Sequence, residues 1–510
     1  GVPDPETRKS ALQSLVRVAR SIGVVPGGTT PAGTVSLTTD MVRQVFDTLI
    51  HCLEDYAIDK RGDVGSWIRA VAIESLEDMC KIAVEGSAGI PQHFAAEKGE
   101  EQFCIVPQKE RIPFLDQEVA KNVEAATMAG QPYKKYPLCP SYGKTFFDAE
   151  MCRRVLLALL RQLGEKLDAI RSAAGRVLQN LLCLRHPRIP FVPQRYKLMH
   201  SLLMSRSSGD DNDAVNWAVP SVTFPRLVSC LDIYCDATGK ILFYGIIAGL
   251  VISVGGLTEG VVKSSSSALL KWCAEKKKKG DKEKHIVMLR SSLLHLFNKH
   301  KKDNRVILPL LDTLHLLFSH GVFDQMPPPK DKPSDEEQQI VANNLSSFYT
   351  DITSATIYEM KGCHSVKKLS AIARLLADLL QFCTKAMEAM LELLGHAYPI
   401  VRKVAAHELY MRLLEDDGTL FSRSGEATAE NRDVVSDLLL YTHWDGELEG
   451  DAHNAAAAGV CETRNELARM FDVKLSEKTV QGTAAATKGK GGIKKDKFES
   501  YSSLVRDAGR

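Results

Sequence analysis

The sequence predicts an all-α protein built from stacked helix pairs, and three observations carry that expectation. Apolar residues recur at helical spacing through most of the 510 residues. Helix-length segments meet at short turns of similar composition, and almost nothing alternates with period two over a useful length. A chain of this length exceeds one ordinary compact core unless the core is extended by stacking.

The elements follow in order. Residues 1–40 form an N-terminal extension with a first helix, and Gly1 in place of Met suggests a fragment with material missing upstream. The first clear helix pair occupies 41–85. Val42, Val45, Phe46, Leu49, Leu53 and Tyr56 make one apolar stripe, and Ile68, Ala72, Leu76, Met79 and Ala83 make another. Between them runs DYAIDKRGDVGSWIR, Asp55–Arg69. Gly62 and Gly65 let the chain turn sharply there, and Asp63 stands where its carboxylate can cap the second helix. Residues 86–150 are an insertion of loops. A continued solenoid is expected over 151–472, with further pairs at Met151–Leu184, Phe224–Cys273, Leu289–Phe323 and Leu369–Leu414.

In four pairs an Arg beside a β-branched residue opens the second helix: Ile68-Arg69, Ile170-Arg171, Arg305-Val306 and Val401-Arg402. An Asp- or Pro-containing turn followed by such a pair is the HEAT pattern, so the expected fold is a HEAT/armadillo-like α-solenoid. Ile241–Leu257 carries no charge and is the one stretch resembling a membrane span. Its four glycines point instead to a helix buried on nearly every side. Residues 473–510 hold nine Lys/Arg against four Asp/Glu in Ala/Gly/Thr-rich filler, a basic tail expected to be disordered.

Charge and motifs argue against several functions. With 65 Lys+Arg, 63 Asp+Glu and a net charge of +2, no global field recruits nucleic acid or an anionic membrane. The twelve cysteines include no CxxC pair, and many sit in apolar helical runs, which suits a reducing compartment. Gly143-Lys144-Thr145 lacks the upstream glycine of a phosphate-binding loop, because Leu138 stands there. His407-Glu408 has Met411 where a zinc-binding helix needs its second His. Asp210–Asp213 lacks the Gly and the final Glu of a calcium loop. His51, His295 and His315 fit local packing better than base catalysis. The sequence therefore points to a non-catalytic binding protein, with no cofactor and no metal.

Five ordered stretches give that binding protein a family. Asp55, Tyr56, Asp59, Arg61, Gly62, Asp63, Val64, Gly65, Trp67 and Arg69 come first, followed by Val254–Glu259. Arg305-Val306 with Pro309-Leu310-Leu311, Pro399 through Arg402-Lys403, and Trp444-Asp445-Gly446-Glu447-Leu448 complete the set, the last trailed by Arg464-Asn465. Together they resemble the tubulin-folding cofactor D family over roughly 40–470, as its C-terminal part, with no family signature in Gly86–Ser141 or after Val473. The resemblance implies a cytoplasmic, cytoskeleton-associated chaperone acting after the chaperonin. It implies β-tubulin and the α/β-tubulin heterodimer, cofactors E and C, and an Arf-like small GTPase as partners. It also implies stimulated GTP hydrolysis by tubulin. The residues marked for partner contact are Asp59, Arg61, Trp67, Arg402, Trp444, Lys494, Lys495 and Lys497. For Trp67, Arg61, Arg69 and Arg402 the competing expectation is that they brace the turns. A generic HEAT scaffold for another assembly is the alternative function.

Overall fold

The computed structural model describes residues 4–24, 35–85, 146–184, 188–203, 215–235, 239–278, 282–324, 335–416, 429–445 and 455–475. Nearly all of the 86–150 insertion, the Asp210–Asp213 run, Gly143–Thr145, Gly446–Leu448 and the basic tail with Lys494, Lys495 and Lys497 lie outside the described residues. The chain divides into two compact units, Gly1–Val341 and Ala342–Arg510, and each is all-α. The strands among the described residues are the two-residue β1 (Ile58–Asp59) and β2 (Gly62–Asp63), which pair antiparallel inside the first predicted turn.

The first unit begins with α1 (Pro5–Ile22), α2 (Thr39–Cys52) and α3 (Gly65–Glu85), with α1 and α2 both packed against α3. Their starts follow from local chemistry. The Asp4 carboxylate accepts the Glu6 N–H at 3.0 Å before Pro5, and the Thr38 hydroxyl accepts the Met41 N–H at 3.2 Å. Next come α4 (Ala149–Leu163), capped by Asp148 on Met151 N–H at 2.8 Å, and α5 (Asp168–Cys183). Helix α4 packs on α5, and α5 packs on α3, so successive pairs stack. The rest of the unit is α6 (Arg195–Leu203), α7 (Pro220–Ser229), α8 (Lys240–Val254), α9 (Glu259–Lys278), α10 (Lys282–Lys299) and α11 (Asn304–Ser319).

Helix α8 is the stretch that resembled a membrane span, and it is the inner helix of the unit. It packs against α4, α9, α10 and α11, and Phe243, Ile246, Ile247, Leu250, Val251 and Val254 are buried. Each such side chain contributes roughly 1.5–3 kcal/mol of burial free energy. Among the described residues no helix is long and apolar enough to cross a membrane. The ten described cysteines are free thiols, and burial pushes the Cys152 thiol up to about 12.

The second unit contains most of α12 (Asp335–Met360), then α13 (Val366–Leu379), α14 (Thr384–Leu394), α15 (Pro399–Glu415), α16 (Ala429–Tyr441) and α17 (Ala455–Met470). Helix α13 packs on α14 and α15, α15 on α16, and α17 on both α14 and α16. The predicted pair at Leu369–Leu414 is in fact three helices, because the chain also breaks at Leu380–Cys383. That break falls in a stretch whose apolar residues keep helical spacing, with no Gly or Pro to mark it. The expected turn at Tyr398-Pro399 is present, with Pro399 in the first turn of α15.

Candidate partner-binding surface

The turn between α2 and α3 is built from the inside outward. Gly62 takes φ +100°, which an L side chain rarely adopts, and this closes the small hairpin. Asp63 accepts the Ser66 N–H at 3.0 Å, so the expected cap on α3 is present. The guanidinium of Arg69, fully buried, donates to Asp55 O at 2.6 Å and to Asp63 Oδ2 at 3.0 Å. Asp55 is itself ion-paired with Arg8. Arg69 thus ties both ends of the turn together.

The outer face carries the first three residues marked for partner contact. Arg61 reaches Asp59 Oδ2 through Nε at 3.0 Å and Nη2 at 2.7 Å, and Asp4 Oδ1 at 3.3 Å. Its guanidinium also lies 5.3 Å from the centroid of the partly buried Trp67 ring. The side-chain and backbone hydrogen bonds from Arg61 hold the Asp59 carboxyl below its usual range. Asp59, Arg61 and Trp67 therefore form one partly exposed cluster of polar and aromatic groups.

Residues far apart in sequence meet at this turn and beside it. Arg305, at the start of α11, lies 3.8 Å from the Tyr56 centroid, while Arg69 lies 4.1 Å from it. Gly255, just after α8, abuts Pro309 of α11 so closely that an added Cβ would overlap the Pro309 backbone. Of the five ordered stretches, the first meets the third through Tyr56–Arg305, and the second meets the third through Gly255–Pro309. Gly255→Val is expected to destabilise the first unit by about 1–3 kcal/mol, because the obstruction is backbone and cannot rotate away. Gly260→Ala is the comparison, since nothing lies within 4 Å of a Cβ there. Urea unfolding of both variants checks this, and equal midpoints would refute it.

The other two stretches meet in the second unit. Arg402, fully buried, donates to His396 O at 2.7 Å, Ala397 O at 3.2 Å and Trp444 O at 2.9 Å. Trp444 is 5% exposed and donates its indole N–H to Leu439 O at 2.9 Å. Arg402 and Trp444 are interior residues that hold two turns together, in line with the bracing expectation for Arg402. Beside them Lys403 and Asp445 form an exposed ion pair at 2.8 Å. Arg464 of α17, also buried, packs against Gly395, where a Cβ would collide with it.

Arg171 repeats the device in α5, donating to Glu165 O at 3.0 Å, Lys166 O at 2.7 Å and Ala218 O at 2.7 Å. Three of the four predicted Arg positions thus clamp the turn before their helix. The fourth, Arg305, lies 3.5 Å from the Asp303 carboxylate in its own turn and places its guanidinium on Tyr56. Sequence reasoning did not single out Glu359 and Lys368, a buried ion pair at 2.6 Å. It also did not pair Tyr244 with Lys299 and His295. Among the described residues no group of three or more His, Cys, Asp or Glu could hold a metal ion. The chemistry on offer is that of a contact surface: ion pairs, cation–aromatic stacks and rigid turns.

Residues 153–368 match the family described as tubulin folding cofactor D C terminal. Tubulin-specific chaperone D of Dictyostelium discoideum is 22% identical over 427 residues, which cover 79% of this chain and 24% of that protein. The chain thus spans about a quarter of the length of this curated relative. No solved structure matches. Both matches bear out the resemblance read from the five ordered stretches.

Proposed function

We propose that this chain, carrying the cofactor D C-terminal region, serves a tubulin-specific chaperone as a non-catalytic scaffold in the cytoplasm, associated with the cytoskeleton. The observation that carries the reading is the match over 153–368 to the cofactor D C-terminal family. In this reading the scaffold binds β-tubulin and helps assemble or disassemble the α/β-tubulin heterodimer with cofactors E and C. An Arf-like small GTPase binds it as well, and the assembly stimulates GTP hydrolysis by tubulin. The physics suits the task. Stacked helix pairs offer a broad surface that can cover an aggregation-prone subunit interface without a deep pocket. Rigid turns lower the ordering cost of binding, because the clamped arginines already fix the backbone.

The test mixes the purified chain with tubulin, with and without the small GTPase, and sizes the mixture. Co-elution with either is expected, and Arg61→Glu should weaken it several-fold. That substitution reverses an exposed charge and leaves the Arg69 clamp in place. Absence of co-elution with both partners, even when the remaining length of the relative is supplied in trans, would overturn the reading.

A further inference from the structure

Within the first unit, the ends of α2, α4 and α10 and the starts of α8 and α11 bring cations together around two tyrosines. Tyr56 has Arg69 and Arg305 on its ring at 4.1 and 3.8 Å. On α8, Lys240 and Tyr244 share a face one turn apart, and on α10 so do His295 and Lys299. These faces meet. His295 packs edge-on against Tyr244 with centroids 4.5 Å apart, and the Lys299 ammonium lies 5.7 Å from the Tyr244 centroid. The Tyr244 hydroxyl is buried and has no hydrogen-bond partner.

The nearby carboxylates do not balance these charges. Asp63 and Asp55 are engaged by Arg69 and Arg8, and Asp303 lies 3.5 Å from Arg305 and 3.8 Å from His300. Glu165 is buried, and its carboxylate accepts the Lys166 N–H at 2.9 Å. Neither Lys240 nor Lys299 has a carboxylate within 4 Å among the described residues. Glu54 is left, 55% exposed, with Oε1 2.8 Å from Arg161 Nη1. Burial opposes its ionisation, but Arg161, Lys299 and Arg305 together hold its carboxyl below the usual range.

We propose that the cluster of Arg161, Lys240, Lys299 and Arg305 beside Tyr56 and Tyr244 is a docking site for an acidic polypeptide segment. Glu54 marks the chemistry, because the chain's own carboxylate already occupies one position against Arg161. A partner's Glu or Asp side chains would add to it at Lys299 and Lys240, which stand exposed beside Tyr244. The cations are spread over several turns, so they suit carboxylates along a strand better than one phosphate. A net charge of +2 gives no wider field to draw in nucleic acid. The inference stands apart from the chaperone reading, since its probe is a simple peptide and contains no tubulin.

The experiment titrates a fluorescein-labelled decaglutamate peptide with the full chain and reads fluorescence anisotropy. Saturable binding is expected, weakening about tenfold or more between low and physiological salt. The double reversal Lys240→Glu with Lys299→Glu should lower affinity at least tenfold. Lys263→Glu with Lys271→Glu, an equal change of net charge on α9, should not. Glu54→Gln should tighten binding a few-fold by removing the internal competitor. All five positions are solvent-facing, and far-UV circular dichroism confirms that each variant is folded. Absent binding, or equal losses in the two double variants, would overturn the proposal. So would tighter binding of a decathymidylate strand than of the peptide, or full displacement of the peptide by millimolar inorganic phosphate.

Discussion

Replacing Arg402 with leucine is expected to remove about 3–5 kcal/mol of stability from the second unit. The side chain is fully buried and donates to three backbone carbonyls, those of His396, Ala397 and Trp444. A hydrogen bond from a charged donor contributes roughly 1.5–3 kcal/mol, and a buried carbonyl left unpaired costs about 1–3 kcal/mol. The gain from no longer desolvating a guanidinium offsets part of this sum. Arg402→Lys should recover little, because one ammonium cannot span the carbonyls that the planar fork reaches. Hydrogen exchange read by mass spectrometry is the suitable measurement, since a chain of two units need not unfold in one step. Exchange should accelerate in α14 to α17 and stay unchanged in α1 to α11. A loss under 1 kcal/mol, or one spread over both units, would show that Arg402 is not the clamp of this turn.

That clamp was half legible in the sequence. A β-branched residue beside Arg at the start of a helix is a local pattern, and so is an Asp before α3, so both the turns and the Asp63 cap could be read directly. The third receiving carbonyl was not legible, because Trp444 lies 42 residues from Arg402 and joins it only through folding. The same holds for Tyr56 and Arg305, which no periodicity connects. Helix α12 escaped notice for a different reason. Its sequence is rich in Ser and Thr, which in isolation favour caps and turns over helix interiors. In the fold those hydroxyls are turned back onto the helix: Thr350, Thr353, Ser354 and Thr356 donate to the carbonyls of Ser346, Tyr349, Thr350 and Ile352. The break before α14 was hidden by the opposite problem, an apolar run that keeps its period through the turn. There Phe382 stacks on Tyr349 of α12 at 4.0 Å, a contact that packing dictates and local propensity does not.

Glu359 and Lys368 show how far a charge can mislead when it is met as a letter. Both sit in the stretch IYEMKGCHSVKKLS, where they look like any solvated pair. In the fold their side chains are 0% and 3% exposed and meet at 2.6 Å. Lys368→Met is therefore expected to cost about 3–5 kcal/mol, because it strands a carboxylate in the interior. The double variant Lys368→Met with Glu359→Met should recover most of that loss, since two apolar chains of similar length need no compensating charge. Thermal unfolding of the parent, both single variants and the double variant resolves the pair's coupling. If the double variant were as damaged as the sum of the two single ones, the pair would not act as one interaction.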